Sequence, residues 1–167
     1  MTKLLSFPNP VNETSARLVA AGVVVLGATF VITGNLWILV VLTYGFVARV
    51  LSGPTLSPLG RLTTQVITPR LKVQHRFVPG PPKRFAQGVG AAFTLTASVL
   101  MVADATTLAR IVIALLVIAA LLEAVFAICL GCIVFGWLMR LGVVPKNVCE
   151  ECNNFISRSL ATKTHPA

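Results

Sequence analysis

The sequence predicts an all-α polytopic membrane protein with four transmembrane helices, and three observations support this fold class. Hydrophobic residues make up 56% of the 167 residues and charged residues only 11%, whereas soluble domains contain about 25% charged residues. The apolar residues are concentrated in four long stretches. The basic residues that give the net charge of +9 lie outside those stretches or near their ends, which indicates a membrane surface rather than nucleic acid as their partner.

The apolar stretches predict spans at residues 16–33, 36–51, 85–103 and 108–141. The first three are near the short end of the roughly 17–25 residues that cross a bilayer. The fourth is too long for one straight span, so it either tilts or continues about two turns into the cytoplasm. Short turns separate the first span from the second and the third from the fourth, and they predict two antiparallel hairpins.

The distribution of Lys and Arg predicts the orientation. Thirteen of the 14 basic residues lie in the two terminal regions or the central loop, and only Arg110 lies near the other side. This places both termini and the central loop in the cytoplasm. The chain then divides into a cytoplasmic tail at 1–15, the transmembrane domain at 16–141 and a cysteine-containing tail at 142–167.

Two further patterns concern how the helices are arranged. Each hairpin opens with proline followed by arginine (Arg17 in the first, Arg84 in the second) and then an apolar span, which suggests an approximate two-fold repeat about the membrane normal. In the central loop, an apolar stripe predicts a short interfacial helix, with a plain basic loop as the alternative. The stripe consists of Leu59, Leu62, Val66 and Ile67.

All four cysteines occur in two CxxC pairs, Cys129 with Cys132 and Cys149 with Cys152. This spacing is typical both of a four-thiolate zinc site and of two dithiol switches. Structural disulfides are not expected in the cytoplasm. The three interpretations left open are thiol–disulfide or sulfur-transfer chemistry, a zinc site, and packing by small buried side chains. The spacing of the first pair predicts that both sulfurs lie on one helix face.

Glu123 is a carboxylate within the predicted fourth span. Intramembrane carboxylates are costly and therefore candidates for function. The functional interpretation is a proton relay, and the alternative is a protonated or hydrogen-bonded core residue. The chain lacks the polar intramembrane residues that a transport pathway needs, which argues against a small transporter.

Several segments resemble the bacterial membrane family named domain of unknown function 4395. They are Ser57-Pro-Leu-Gly, Thr68-Pro-Arg-Leu, Arg84-Phe-Ala-Gln-Gly-Val-Gly and Ala124-Val-Phe-Ala-Ile-Cys-Leu-Gly-Cys followed by Arg140. The chain departs from the family's usual opening, of which it keeps Pro10 and Arg17, and it has Glu123 where the family commonly has Asn. The resemblance implies a bacterial inner-membrane location, no established activity, and an association with thioredoxin-like and sulfurtransferase proteins.

The sequence as a whole therefore predicts thiol redox chemistry or a sulfur relay at the cytoplasmic face. The predicted partners are the lipid bilayer and a cytoplasmic thioredoxin-like or sulfurtransferase protein. The alternative is a non-enzymatic membrane subunit or scaffold whose four cysteines hold a structural zinc ion. Whether the chain is an enzyme stays open at this point.

Overall fold

The computed structural model describes residues 11–70, 77–78 and 80–142, and this part of the chain is predominantly helical. The α-helices are α1 (Glu13–Thr33), α2 (Leu36–Ser52), α3 (Pro58–Arg61), α4 (Gly80–Val102), α5 (Thr106–Phe126) and α6 (Leu130–Arg140). A 3₁₀ turn (Gly53–Thr55) follows α2. A π-helical turn (Leu62–Ile67) and another 3₁₀ turn (Thr68–Arg70) follow α3. The two-residue strands β1 (Val11–Asn12) and β2 (Phe77–Val78) pair antiparallel, with Val11 opposite Val78.

Four helical segments are long and apolar enough to cross a membrane, as the sequence predicts. They comprise α1, α2 with the helical turns that continue it to Arg70, α4 and α5. Many large apolar side chains on their outer surface are exposed, for example Val25, Ile32 and Val99 at 65%, 78% and 68%. Such a surface suits contact with lipid, because a water-facing surface would carry more polar side chains.

Local signals in the sequence account for the helix ends. The Asn12 and Asn35 side chains accept hydrogen bonds from the backbone N–H groups of Thr14 and Trp37, both at 2.9 Å, and so begin α1 and α2. Gly34 ends α1 with a φ of 68°, which glycine adopts without steric cost. Helix α4 begins five residues earlier than the predicted span because prolines fit the first helical turn.

The helices pack so that α1 lies mainly against α5 and α2 mainly against α4, with further contacts between α4 and α5. Phe30, Leu39 and Ile113 are fully buried at the centre of the core. The turn between α1 and α2 lies beside the beginning of α5, since a Cβ atom at Gly34 would be 2.6 Å from Nη2 of Arg110. The short turns between successive spans are therefore at one end of the bundle.

The prediction of one helix over residues 108–141 is wrong. The structure ends α5 at Phe126 and begins α6 at Leu130, with three non-helical residues between them. Ala127 has a φ of 58°, in the left-handed region, which stops the α-helical hydrogen-bond ladder.

Arg17 of α1 supplies hydrogen-bond donors to backbone carbonyl groups that this break leaves without helical partners. Its Nε donates to the carbonyl oxygen of Ala124 at 3.0 Å, and its Nη2 donates to that of Val125 at 2.9 Å. A continuous helix would satisfy these two carbonyl groups from its next turn. The guanidinium replaces those donors, which matters because an unpaired backbone group in an apolar surrounding costs several kcal/mol.

Arg84 makes the equivalent contact in the second half of the chain. Its Nε donates to the carbonyl oxygen of Val50, near the end of α2, at 3.0 Å. Arg17 and Arg84 each lie four residues after the first residue of their helix. Each arginine also contacts the end of the helix on which its own helix mainly packs. These paired contacts support the predicted two-fold repeat.

The central segment after Ser57 is helical, but only part of its apolar stripe faces the core. Leu59 packs over α1, where a Cβ at Gly22 would come within 2.7 Å of its Cδ2 atom. Leu62 and Val66 are 49% and 40% exposed, whereas Thr63 is buried. Placement of this segment at a membrane interface stays a prediction.

Candidate dithiol site

Helix α6, with Cys129 as the residue before it, packs against α4, and the glycine of the Cys-Leu-Gly-Cys sequence allows this close approach. A Cβ atom at Gly131 would lie 2.6 Å from Cβ of Ala86 and 2.7 Å from its Cα. One helical turn further, the rings of Phe85 and Phe135 meet with centroids 5.5 Å apart. Any side chain at Gly131 would therefore push α6 and its cysteines away from α4.

The prediction that both sulfurs of this pair lie on one helix face is wrong, because Cys129 precedes the helix. Cys129 is the N-cap of α6, and its backbone is extended there. Its Sγ accepts a hydrogen bond from the backbone N–H of Cys132 at 3.4 Å and from the Cys132 thiol at 2.7 Å. Both residues are free cysteines, and the 2.7 Å between their sulfurs is longer than the S–S bond of about 2.05 Å.

The two thiols have different acidities as a result of this geometry. The hydrogen bond from the Cys132 thiol lowers the pKa of Cys129, while burial opposes that effect. The same hydrogen bond, together with burial, raises the pKa of Cys132. The amino end of a helix also favours a thiolate at its first residues. Cys129 therefore has the more acidic thiol of the pair, and the Cys132 thiol is its hydrogen-bond donor.

An ion pair between α4 and α5 lies beside the cysteines. Nζ of Lys83 donates to Oε1 of Glu123 at 2.5 Å, and the two side chains are only 10% and 16% exposed. Glu123 lies in the last turn of α5, so the break after this helix brings it near the cysteines. The positive charge of Lys83 lowers the pKa of Cys129, whereas the negative charge of Glu123 raises it. The predicted proton relay through Glu123 stays a prediction.

Cys129 borders two cavities of different character. One, of about 460 Å³, is lined by both cysteines, Lys83, Glu13 and apolar residues. The other, of about 270 Å³, is lined by Cys129, Glu123, Gln87 and mainly apolar side chains of α1, α4, α5 and α6. The dithiol is thus accessible to a small reactant, although Cys129 itself is buried.

The second cysteine pair, Cys149 and Cys152, lies outside the described residues. Between residues 11 and 142, the described part of the chain contains no group of three or more His, Cys, Asp or Glu side chains able to hold a metal ion. A four-cysteine zinc site needs both pairs, so that site and the redox role of Cys149 and Cys152 stay predictions.

Sequence reasoning did not identify Lys83 and Gln87 as site residues. Lys83 was counted only as one of the basic residues that set the orientation. Its partner Glu123 is 40 positions away in the sequence, and no local pattern links the two. One signal in the sequence was the position of Lys83 immediately before the predicted apolar span at 85–103, where an unpaired cation is costly.

The fold and the site together define a polytopic membrane protein with a pair of adjacent thiols at the junction of two helices. The chain belongs to the family described as Domain of unknown function (DUF4395), whose model matches residues 11–140. This confirms the family resemblance that the sequence motifs predicted. No curated protein and no solved structure matches the chain.

Proposed function

We propose that this protein is a membrane dithiol–disulfide oxidoreductase whose reactive pair is Cys129 and Cys132. The observation that carries the proposal is the distance of 2.7 Å between the two sulfurs, with Cys129 at the N-cap of α6. A packing role needs no such contact. Dithiol oxidoreductases use a CxxC pair whose first cysteine has a lowered pKa, and Cys129 has this property.

The proposed reaction reduces a substrate disulfide. The Cys129 thiolate attacks one sulfur of that disulfide, the substrate S–S bond breaks, and the first leaving thiolate takes a proton from water. Cys132 then loses its proton and attacks Sγ of Cys129, which forms the intramolecular disulfide and releases the second thiolate. That thiolate takes up one proton. Two electrons pass from the dithiol to the substrate, and a thioredoxin-like protein that supplies two thiols reverses the reaction on the enzyme.

The same proposal includes the orientation and location. The four spans form two hairpins in a bacterial inner membrane, with the 1–15 tail, the central loop and the 142–167 tail in the cytoplasm. The asymmetry of the basic residues supports this orientation. It places the cysteines at the cytoplasmic face, where a thioredoxin-like or sulfurtransferase partner has access to them.

The test begins with a Cys149→Ser/Cys152→Ser double variant, which isolates the first pair. We expect mass spectrometry after equilibration with glutathione redox buffers to show one disulfide, between Cys129 and Cys132. Adding Cys132→Ser should trap a mixed disulfide between glutathione and Cys129. Adding Cys129→Ser instead should trap much less, because Cys132 lies three residues after the N-cap and burial raises the pKa of its thiol.

Two results would contradict the proposal. The first is the absence of a Cys129–Cys132 disulfide at every glutathione ratio. The second is equal trapping by the two single-cysteine variants, which would remove the distinction between nucleophile and resolving thiol. Metal analysis of the anaerobically purified wild type completes the test. One zinc ion per chain, lost on substitution of any of the four cysteines, would support the scaffold alternative.

A further inference from the structure

A third cavity, of about 320 Å³, lies among the beginnings of α1 and α4, the end of α2 and the segment that follows it, and neither Cys129 nor Cys132 lines it. We call it the Arg49 cavity. Its polar lining includes Ser15, Arg49, Thr64, Thr68, Lys83 and Gln87. These side chains carry two cations and several hydroxyl groups, a composition that suits an anion with several oxygen atoms.

Arg49 is a buried cation whose hydrogen-bond partners are neutral. The residue is only 5% exposed. Its Nε donates to Oε1 of Gln87 at 2.8 Å, and its Nη1 donates to Oγ of Ser57 at 3.2 Å. A guanidinium has five N–H donors, so three have no acceptor among the residues that the structure describes. The guanidinium also lies 4.6 Å from the ring centroid of Phe46, which holds its plane in place.

The charge balance at the cavity leaves Arg49 in excess. The described charged residues that line the cavity are Arg49 and Lys83, and Lys83 is bonded to Glu123, so that pair is neutral as a unit. Lys83 still has two N–H donors beyond the one that Glu123 accepts. The cavity therefore presents one uncompensated positive charge and at least five unused cationic donors. One anion would neutralise that charge.

We propose that the Arg49 cavity binds a phosphate group, held by Arg49 and Lys83 with help from the hydroxyl group of Thr64. The planar guanidinium fork matches two phosphate oxygens, and the ammonium group matches a third. The cavity volume exceeds that of a bare phosphate and admits an esterified one. The phosphate group belongs either to the free inorganic ion or to the headgroup of an anionic phospholipid, and basic pockets between transmembrane helices bind such headgroups.

The test uses the full-length protein and two probes. Inorganic phosphate is titrated calorimetrically into protein in a neutral detergent. Separately, the protein is placed in phosphatidylcholine nanodiscs with or without phosphatidylglycerol, and retained lipid is measured by native mass spectrometry. We expect Arg49→Gln to weaken binding at least about tenfold, as loss of a buried charged partner does. Thr64→Val should weaken binding by a smaller factor. This variant tests the proposal if Arg49→Gln does not fold.

Arg61→Gln is the matched control, because Arg61 is an exposed arginine on the adjacent segment that does not line the cavity. Binding of phosphate alone identifies the free ion, and selective retention of phosphatidylglycerol identifies the lipid. Binding of neither probe overturns the proposal. Equal loss in Arg61→Gln and Arg49→Gln also overturns it, since general surface charge would then explain the affinity. Arg49 and Thr64 do not touch the cysteines, so the thiol titration stays unchanged in these variants whichever result is obtained.

Discussion

The ion pair between Lys83 and Glu123 gives the most informative single perturbation of the site. The two charged atoms are 2.5 Å apart, and the side chains are 10% and 16% exposed. Removing one partner of a fully buried pair costs about 3–5 kcal/mol, because the other charge stays buried without compensation. Because the two side chains keep some exposure, we expect Lys83→Met and Glu123→Gln each to lower the free energy of unfolding by about 3 kcal/mol, the lower end of this range.

The double variant distinguishes an interaction from two independent losses. Once both charges are removed, no stranded charge is left, so we expect the double variant to lose only about 1–2 kcal/mol, less than either single variant and far less than the sum of about 6 kcal/mol. The coupling free energy is then about 4–5 kcal/mol. This agrees in scale with the roughly 4 kcal/mol of Coulomb attraction between unit charges at 4 Å in a medium of effective dielectric constant 20.

The assay is reversible unfolding in mixed micelles by titration with sodium dodecyl sulfate, followed by tryptophan fluorescence. Exposed Arg61 supplies the control variant Arg61→Met, which should change the free energy of unfolding by no more than about 0.5 kcal/mol. Strictly additive effects of Lys83→Met and Glu123→Gln would refute the reasoning, because they would mean that the two side chains do not interact.

Three further predictions concern the junction between α5 and α6. Cys132→Ala removes the thiol donor that lowers the pKa of Cys129, so the pH at which iodoacetamide alkylates Cys129 at half its maximal rate should rise; an unchanged pH profile would contradict this. Ala127→Gly should raise the free energy of unfolding by about 1 kcal/mol, since the residue has a left-handed φ of 58°; a loss would show that the strain is absent. Gly131→Ala should cost about 1–3 kcal/mol because its Cβ would collide with α4, whereas Gly136→Ala, with open space around it, should be neutral or stabilising by up to about 1 kcal/mol.

The helical spans could be read from the sequence because a bilayer imposes a local requirement. Every backbone group in lipid must be satisfied within its own helix, and about 20 consecutive apolar residues are needed. This requirement acts on each segment separately. Both ends of α1 and of α2 accordingly lie within about three residues of the predicted limits, and so does the beginning of α5. The beginning of α4 was missed by five residues because two prolines suggested a loop rather than a first helical turn.

The break at Ala127 could not be predicted from the sequence. Residues 108–141 contain no proline, and their apolar character is continuous. Where the helix stops, the guanidinium of Arg17, more than 100 positions away, bonds the carbonyl groups of Ala124 and Val125. The sequence revealed Arg17 as a basic residue near a helix end, but not as the partner of these carbonyls.

The features of the candidate site also fall into two groups, those that the sequence predicts and those that only the tertiary structure shows. The sequence by itself determined the transmembrane class, the family and the Cys129–Cys132 pair, because each depends on composition or on residues close together in the chain. The tertiary structure alone decided that Cys129 caps α6, that Lys83 pairs with Glu123 and that Arg49 faces a cavity. These contacts join helices that are distant in sequence, and their free energies depend on burial, which packing between helices creates.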